Sequence, residues 1–159
     1  MMNFTQDLSK HVVKSVTGGL KITYQGTEID FSKPIKKLTL ADAIKQHTGI
    51  DIDTINTEDE FKSIIKSKKL KLDLTEVVGL GACFDQLYKE YVRPKIIEPT
   101  FMCDYPSEMI ALAKRHPHDP KKIASFQLVV CGTELLKAYN EVNDPKDQSD
   151  RWLSEVELA

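Results

Sequence analysis

Apolar residues recur through residues 3 to 17 as Phe4, Leu8, Val12, Val13 and Val16, the spacing of one face of a helix, and Gly18-Gly19 stops the pattern. Alternation then takes over: Leu20, Ile22 and Tyr24, followed by Ile29 and Phe31, flank Gln25-Gly26 and predict a hairpin. Pro34 opens a connection, and Thr39 is placed to cap a helix over residues 40 to 47 that Gly49 ends. Residues 50 to 55 read as a loop. Thr57 with Glu60 three positions on is a capping box, which predicts a helix over about residues 58 to 68 with Phe61, Ile64 and Ile65 as its buried stripe. A further helix is predicted from near Asp73 to a break at Gly79-Leu80-Gly81. Another covers about residues 82 to 92, where Phe84, Leu87, Tyr88 and Tyr91 share a face.

Pro94 and Pro99 end the helical part. Thr100-Phe101-Met102-Cys103-Asp104 reads as a short strand, Tyr105-Pro106 turns out of it, and residues 107 to 120 look irregular and polar. Two strands follow, over 124 to 131 and 133 to 141, joined at Cys131-Gly132 and closed by Asn143-Asp144-Pro145. The tail to Ala159 reads as the start of a helix with Trp152 and Leu153 as its apolar anchors. The expected class is therefore α+β with an antiparallel meander towards the C-terminus. Residues 1 to 95 are mainly helical with one hairpin, 96 to 145 form antiparallel strands and 146 to 159 start a helix; the length suits one domain or part of a larger one.

Composition narrows the function classes. With 41% apolar and 29% charged residues the chain is globular, and a net charge of -2 supplies no overall positive field for nucleic acid. The basic run Lys66-Ser67-Lys68-Lys69 reads as a solvated face. Cys83, Cys103 and Cys131 are odd in number and widely spaced, which speaks against a disulfide framework and for a reducing compartment. No apolar run has the roughly 20 residues of a membrane helix, and polar residues interrupt the N-terminus where a signal peptide would be apolar; the cytoplasm is the expected location. Gly79-Leu80-Gly81 is not a phosphate loop, because no lysine or serine follows at the required spacing. His116 and His118 could bind a metal, yet with no carboxylate or thiol partner nearby they read as solvent-facing surface.

In the last strand a period of two puts Lys137, Tyr139 and Glu141 on one face, and Glu134, Leu136, Ala138 and Asn140 on the other. The first set could be a polar patch, with a carboxylate for an ammonium group, an aromatic wall for an alkyl chain and a lysine for an anion. On pattern alone the plainer reading, the solvent face of a half-exposed sheet, is favoured. Glu134 joins the patch only if a bulge shifts the register between positions 134 and 137.

Three stretches together resemble the catalytic domain of class II lysyl-tRNA synthetases. They are Pro99-Thr100-Phe101 with Asp104 and Pro106; Leu112-Ala113-Lys114; and Phe126, Leu128, Gly132, Glu134, Ala138-Tyr139, Glu141, Asn143-Asp144-Pro145 and Gln148. Ile22-Thr23-Tyr24-Gln25-Gly26, Ile29-Asp30-Phe31, Pro34 and the run from Thr39 to Asp51 look like the segment after that family's second signature motif, so the resemblance spans nearly the whole chain. It implies part of an antiparallel active-site sheet flanked by helices, in an enzyme that activates lysine with ATP and Mg2+ and transfers it to tRNA(Lys) as a homodimer.

Carried over by position, Glu134 corresponds to a magnesium and ATP ligand, with Gln127 as the second ATP-side position. Tyr139, Glu141 and Lys137 correspond to the lysine pocket, where Glu141 would give the substrate ammonium a charge-assisted hydrogen bond. No catalytic residue is assigned. The sequence departs from the family pattern at Gln127, where a metal carboxylate is usual, at Lys137, where an asparagine is usual, and at Ser125 and Ala111, in place of an arginine and a proline. The resemblance places the second motif's arginine just before Met1 and the third motif's beyond Ala159. The expectation is an internal piece of a catalytic domain that does not form lysyl-adenylate alone, and whose uncovered sheet edges favour association. The alternatives are a non-catalytic synthetase-like binding module, or a paralogue acting on another acceptor or on aspartate or asparagine. Tyr139 with Glu141 favours lysine over acidic substrates, since a carboxylate repels carboxylates.

Overall fold

The computed structural model describes the backbone of residues 1–158 and side chains through Leu153. At its centre is a four-stranded sheet in the order β3-β4-β7-β8, formed by β3 (Lys36–Thr39), β4 (Thr100–Cys103), β7 (Ser125–Val130) and β8 (Thr133–Tyr139). β4 pairs antiparallel with β7, and β7 with β8. β3 runs parallel to β4, a pairing that four residues with two lysines and a weak alternation did not reveal. Every residue of β4 and β7 is buried, so these two strands are covered on both faces.

One face carries Leu38, Met102, Val129 and Tyr139 and packs under α2 (Leu40–Thr48), α3 (Glu58–Ser67) and α4 (Leu80–Tyr91). Thr39 ends β3 and also caps α2, its Oγ1 accepting from the Asp42 N–H at 3.0 Å. The capping box at Thr57 and Glu60 forms, and Phe61 of α3 meets Phe84 of α4 edge to face at 5.7 Å. The opposite face carries Phe101, Cys103, Phe126, Leu128 and Val130. It packs under the hairpin of β1 (Lys21–Tyr24) and β2 (Thr27–Asp30) and under α1 (Met2–Thr17).

Several sequence expectations are corrected. The helix predicted from Asp73 is absent: Asp73 Oδ1 accepts from both the N–H and the hydroxyl of Thr75, a local turn that competes with helical hydrogen bonding. α4 starts at Leu80, with Gly79 as its N-cap, rather than two residues later. The stretch after Pro106 is not wholly irregular, since β5 (Arg115–His116) and β6 (Asp119–Ile123) form a small hairpin. Most of the predicted stripe of α1 faces outward, with Phe4 63% and Val16 79% exposed, and of its five residues only Val13 packs against the core. The helix is seated instead by its other side, where Thr5 is buried and Gln6 Oε1 accepts from the Ile35 N–H at 2.7 Å.

α5 (Pro145–Leu158) is also anchored differently. Trp152 and Leu153 are 51% and 60% exposed, whereas Arg151 is 8% exposed. Its guanidinium donates to Asp147 and to the backbone carbonyls of Ala111 and Ala113. A buried cation with an acceptor on each of its three nitrogens docks this helix where an apolar stripe was expected. Ala159, the last residue of the predicted tail helix, lies outside the described residues.

Two outcomes follow from this packing. A Cβ at Gly81 would lie 2.3 Å from the Glu108 carbonyl oxygen, whereas one at Gly19 meets nothing within 4 Å. Gly81→Ala is expected to cost about 1–3 kcal/mol in urea unfolding, and Gly19→Ala to leave the midpoint nearly unchanged. Hydrogen bonding from Arg151, with Arg115 beside it, holds the Asp147 carboxyl below the usual carboxylate range. A depressed folded pKa contributes stability that is complete above the unfolded value of about 3.9 and is lost as pH falls through the folded value. Asp147→Asn should therefore lower stability at neutral pH and shrink the stability difference from the parent on acidification below about pH 4, as read by thermal unfolding against pH.

Candidate active site

β7 and β8 pair residue for residue from Ser125↔Tyr139 through Gln127↔Lys137 to Leu128↔Leu136, and the next pair is Val129↔Glu134. The register shifts there, leaving Leu135 as an extra residue in β8, a β-bulge. Strict alternation would send Glu134 to the face opposite Lys137. The bulge absorbs one residue, so Glu134, Lys137 and Tyr139 lie on one face, and Leu135 is left 57% exposed. The two-residue turn between the strands needs a left-handed backbone at both positions, with φ of 48° at Cys131 and 71° at Gly132. Its tip is pinned by Cys131 N–H to Ile97 O at 2.9 Å and Gly132 N–H to Ile96 O at 2.8 Å.

One rung of the sheet on this face reads Leu38, Met102, Gln127, Lys137. Its polar half opens into a cavity of about 850 Å3 bounded by Gln127, Glu134 and Lys137 from the sheet. Asn56, Thr57 and Glu58 close it at the start of α3, Gly79 to Ala82 with Asp85 and Lys89 along α4, and Tyr105 with Glu108, Met109 and Ile110 on the remaining side. Glu58 ties two of these walls together: its Oε2 accepts from the Gly79 N–H at 2.8 Å, and its Oε1 lies 2.5 Å from the Lys62 ammonium. Those contacts, the lysine first, hold its carboxyl below the usual range. Asp85 is paired with Lys89 at 2.5 Å. Among the described residues Glu134 and Lys137 have no salt-bridge partner, so both present their charge to the cavity.

Among the described residues Gln127 Oε1 has no hydrogen-bond partner, and the hydroxyls of Tyr88 and Tyr105 are neighbours with no other partner. Burial pushes the Tyr88 phenol up to about 12, and burial, the neighbouring Tyr88 and the Glu134 charge push Tyr105 up as well. Both stay protonated at neutral pH and can donate to an acceptor. Burial also raises Cys83, and Cys103 to about 11, so neither supplies a thiolate nucleophile.

Gln127, Glu134 and Lys137 thus converge on one cavity. Tyr139 is half-buried on the same face and packs against the main core. Glu141 lies past the end of β8, exposed, in an antiparallel bridge with Ala113. Neither Tyr139 nor Glu141 lines the cavity. His116 and His118 stack edge to face at 5.6 Å, outside it. Sequence reasoning missed Tyr105, Asp85 and Glu108. Asp104 holds a left-handed φ of 56° immediately before Tyr105, and an Asp-Tyr-Pro step out of a strand was a signal that could have pointed there.

Among the described residues no cluster of three or more His, Cys, Asp or Glu could hold a metal by itself. The hard oxygens of Glu134 and the unpartnered Gln127 Oε1 do share the cavity. Magnesium keeps several waters and commonly takes one or two protein oxygens together with substrate phosphates; that donor set fits. No helix among the described residues is long and apolar enough to cross a membrane.

Residues 1–157 match the profile of the family described as tRNA synthetases class II (D, K and N). The chain is 39% identical over 158 residues to a lysine–tRNA ligase of Clostridium acetobutylicum, covering 98% of this chain and 30% of that protein. It is 38% identical over 157 residues to the one of Carboxydothermus hydrogenoformans, covering 99% of this chain and 32% of that protein. Against the lysine–tRNA ligase of Christiangramia forsetii the figures are 38% over 159 residues, 100% and 27%. The chain therefore spans about three-tenths of the length of the curated relatives it matches. A sheet that turns a carboxylate, an amide and an ammonium into one cavity, in a sequence matched almost end to end by this profile, belongs to the class II aminoacyl-tRNA synthetases.

Proposed function

We propose that residues 1–159 form part of the catalytic domain of a lysine–tRNA ligase and carry one portion of its lysine-activation site. The observation that supports this most directly is the bulge at Leu135, which puts Glu134 on the face of Gln127, Lys137 and Tyr139. In this reading Glu134 and Gln127 hold Mg2+ and the ATP phosphates. The ion would supply charge neutralisation on the phosphates. Tyr139 packs the substrate's methylene stem, and Glu141 accepts its ammonium. Lysine, ATP and tRNA(Lys) are the substrates, a homodimer the assembly and the cytoplasm the setting.

Lys137 belongs to the phosphate side of this site. It lines the cavity with Glu134, whereas Glu141 is four residues further on, about 13 Å at strand rise. That exceeds a Debye length of about 8 Å at physiological salt, so its repulsion of an ammonium at Glu141 is largely screened. The same observation gives the second reading its content: a cation beside a neutral Gln127 suits a module that binds a phosphorylated ligand without performing activation.

ATP–pyrophosphate exchange separates the readings. The 159-residue chain alone is expected to show no lysine-dependent exchange; exchange by it would refute the partial-site reading. A chimera carrying residues 1–157 in place of the matching segment of the Clostridium acetobutylicum enzyme is expected to exchange with lysine and not with aspartate or asparagine. A folded chimera that binds ATP and exchanges with none of them would favour the binding module. In the active chimera, Glu141→Gln should raise KM for lysine by about tenfold or more and leave KM for ATP within about twofold, measured by the same assay. An unchanged lysine KM would remove Glu141 from the pocket.

A further inference from the structure

The chain that runs on from β8 to Glu141 has outrun its partner β7. Beyond Tyr139 its backbone is held by Asn140 N–H to Ala124 O at 2.9 Å, and then by the segment before β5. Lys114 N–H donates to Asn140 O at 2.7 Å, Val142 N–H donates to Leu112 O at 3.0 Å, and Ala113 faces Glu141 in an antiparallel bridge. Residues 112 to 114 are thus the only ladder flanking Glu141 among the described residues.

That segment is tied to the start of β7 by the Ala124 N–H to Lys114 O bond at 2.8 Å and buries Ala113 in the core, and one side chain, Arg151, grips its carbonyls. Arg151 Nη1 donates to Ala113 O at 2.7 Å and to Ala111 O at 3.3 Å, while Nε and Nη2 donate to Asp147 at 3.1 and 2.5 Å. Asp147 also accepts from Arg115 Nε at 3.0 Å, and Arg115 Nη1 donates to Pro120 O at 2.8 Å. Asp144 Oδ1 accepts from the Lys146 N–H at 2.9 Å and fixes the turn from which α5 starts. The guanidinium fork therefore closes a ring: Glu141 leads along the chain into α5, and α5 reaches back through Arg151 to the segment that pairs with Glu141. Removing the fork leaves two backbone carbonyls and most of a carboxylate unpaired in a site where the arginine was 8% exposed.

We propose that Arg151 is a positioning residue for Glu141, clamping the segment from Ala111 to Lys114 so that the carboxylate is held at the end of β8. The functional meaning rests on the reading of Glu141 as the acceptor for the substrate ammonium. Arg151 does not touch substrate in this arrangement. It sets where the acceptor stands, and a lysine pocket tolerates little displacement because a charge-assisted hydrogen bond weakens steeply with distance and angle.

Hydrogen exchange on the full 159-residue chain tests the clamp. In Arg151→Met, which keeps the stem and removes the fork, the Lys114 and Val142 amides are expected to exchange about tenfold faster or more, while amides of the β4–β7 ladder keep their protection. Arg151→Lys should recover part of the protection. Should Arg151→Met fail to fold, Asp147→Asn loosens the same amides to a smaller degree with the arginine in place. If Lys114 and Val142 keep parental protection while only α5 amides speed up, Arg151 merely docks the helix and the proposal is overturned. Lysine KM in the active chimera separates the two readings. Protection of Lys114 and Val142 that depends on Arg151, with a lysine KM that Glu141→Gln leaves unchanged, keeps the clamp and removes the lysine pocket. A lysine KM that Arg151→Met raises, and Arg151→Lys partly restores, supports both.

Discussion

The pairing of β4 with β7 is the constraint from which the rest of the molecule follows. Both strands are buried along their whole length, and their side chains alternate between two separate cores. A slip of one residue would exchange Met102 and Val129 for Phe101 and Leu128 and misplace each set, so the register is fixed by burial on both sides. The edge-to-face contact of Phe101 with Phe126 at 5.4 Å closes one core, and Tyr105, Met102 and Val129 sit in the other. With that register settled, Ser125 and Gln127 are the two polar residues that β7 directs towards the helical side, both buried, and Gln127 stands between Met102 and Lys137.

β8 inherits its register from β7 and then departs from it. Six positions of regular pairing would have produced an ordinary edge strand, with Glu134 facing the hairpin side. One inserted residue instead gathers Glu134, Gln127 and Lys137 at a cavity whose far walls come from α3 and α4. The helices contribute more than a lid. Glu58 joins the start of α3 to the start of α4, and Gly81 permits an approach to the Glu108 backbone that no side chain would allow. The Gln127 carbonyl and the paired tyrosine hydroxyls beneath add buried polar groups to this wall.

The C-terminal helix shows the same economy with charge. Its exposed Trp152 and Leu153 contribute little burial, while Arg151 serves Asp147 and two carbonyls at once. A fork of this geometry fixes direction as well as distance, which an apolar contact does not. Through it, a helix that follows β8 governs the segment on the other side of Glu141.

Much was readable from residue order alone. The capping box at Thr57 and Glu60, the caps at Thr39 and Gly49, and the glycine turns at Gln25-Gly26 and Cys131-Gly132 are local, and local chemistry is written in neighbouring residues. The motif residues around Glu134 and Glu141 pointed to the family for the same reason. Sequence periodicity could not supply β3, whose strand state depends on a partner 64 residues away, or the true seat of α1, where Val13 alone of the stripe reaches the core and Gln6 binds the Ile35 backbone. Nor could it supply the bulge: a period of two has no means of marking which residue a partner strand will leave unpaired, and only the β7 ladder selects Leu135. Residue identity thus determined which chemical groups this protein carries, and long-range pairing decided which of them meet.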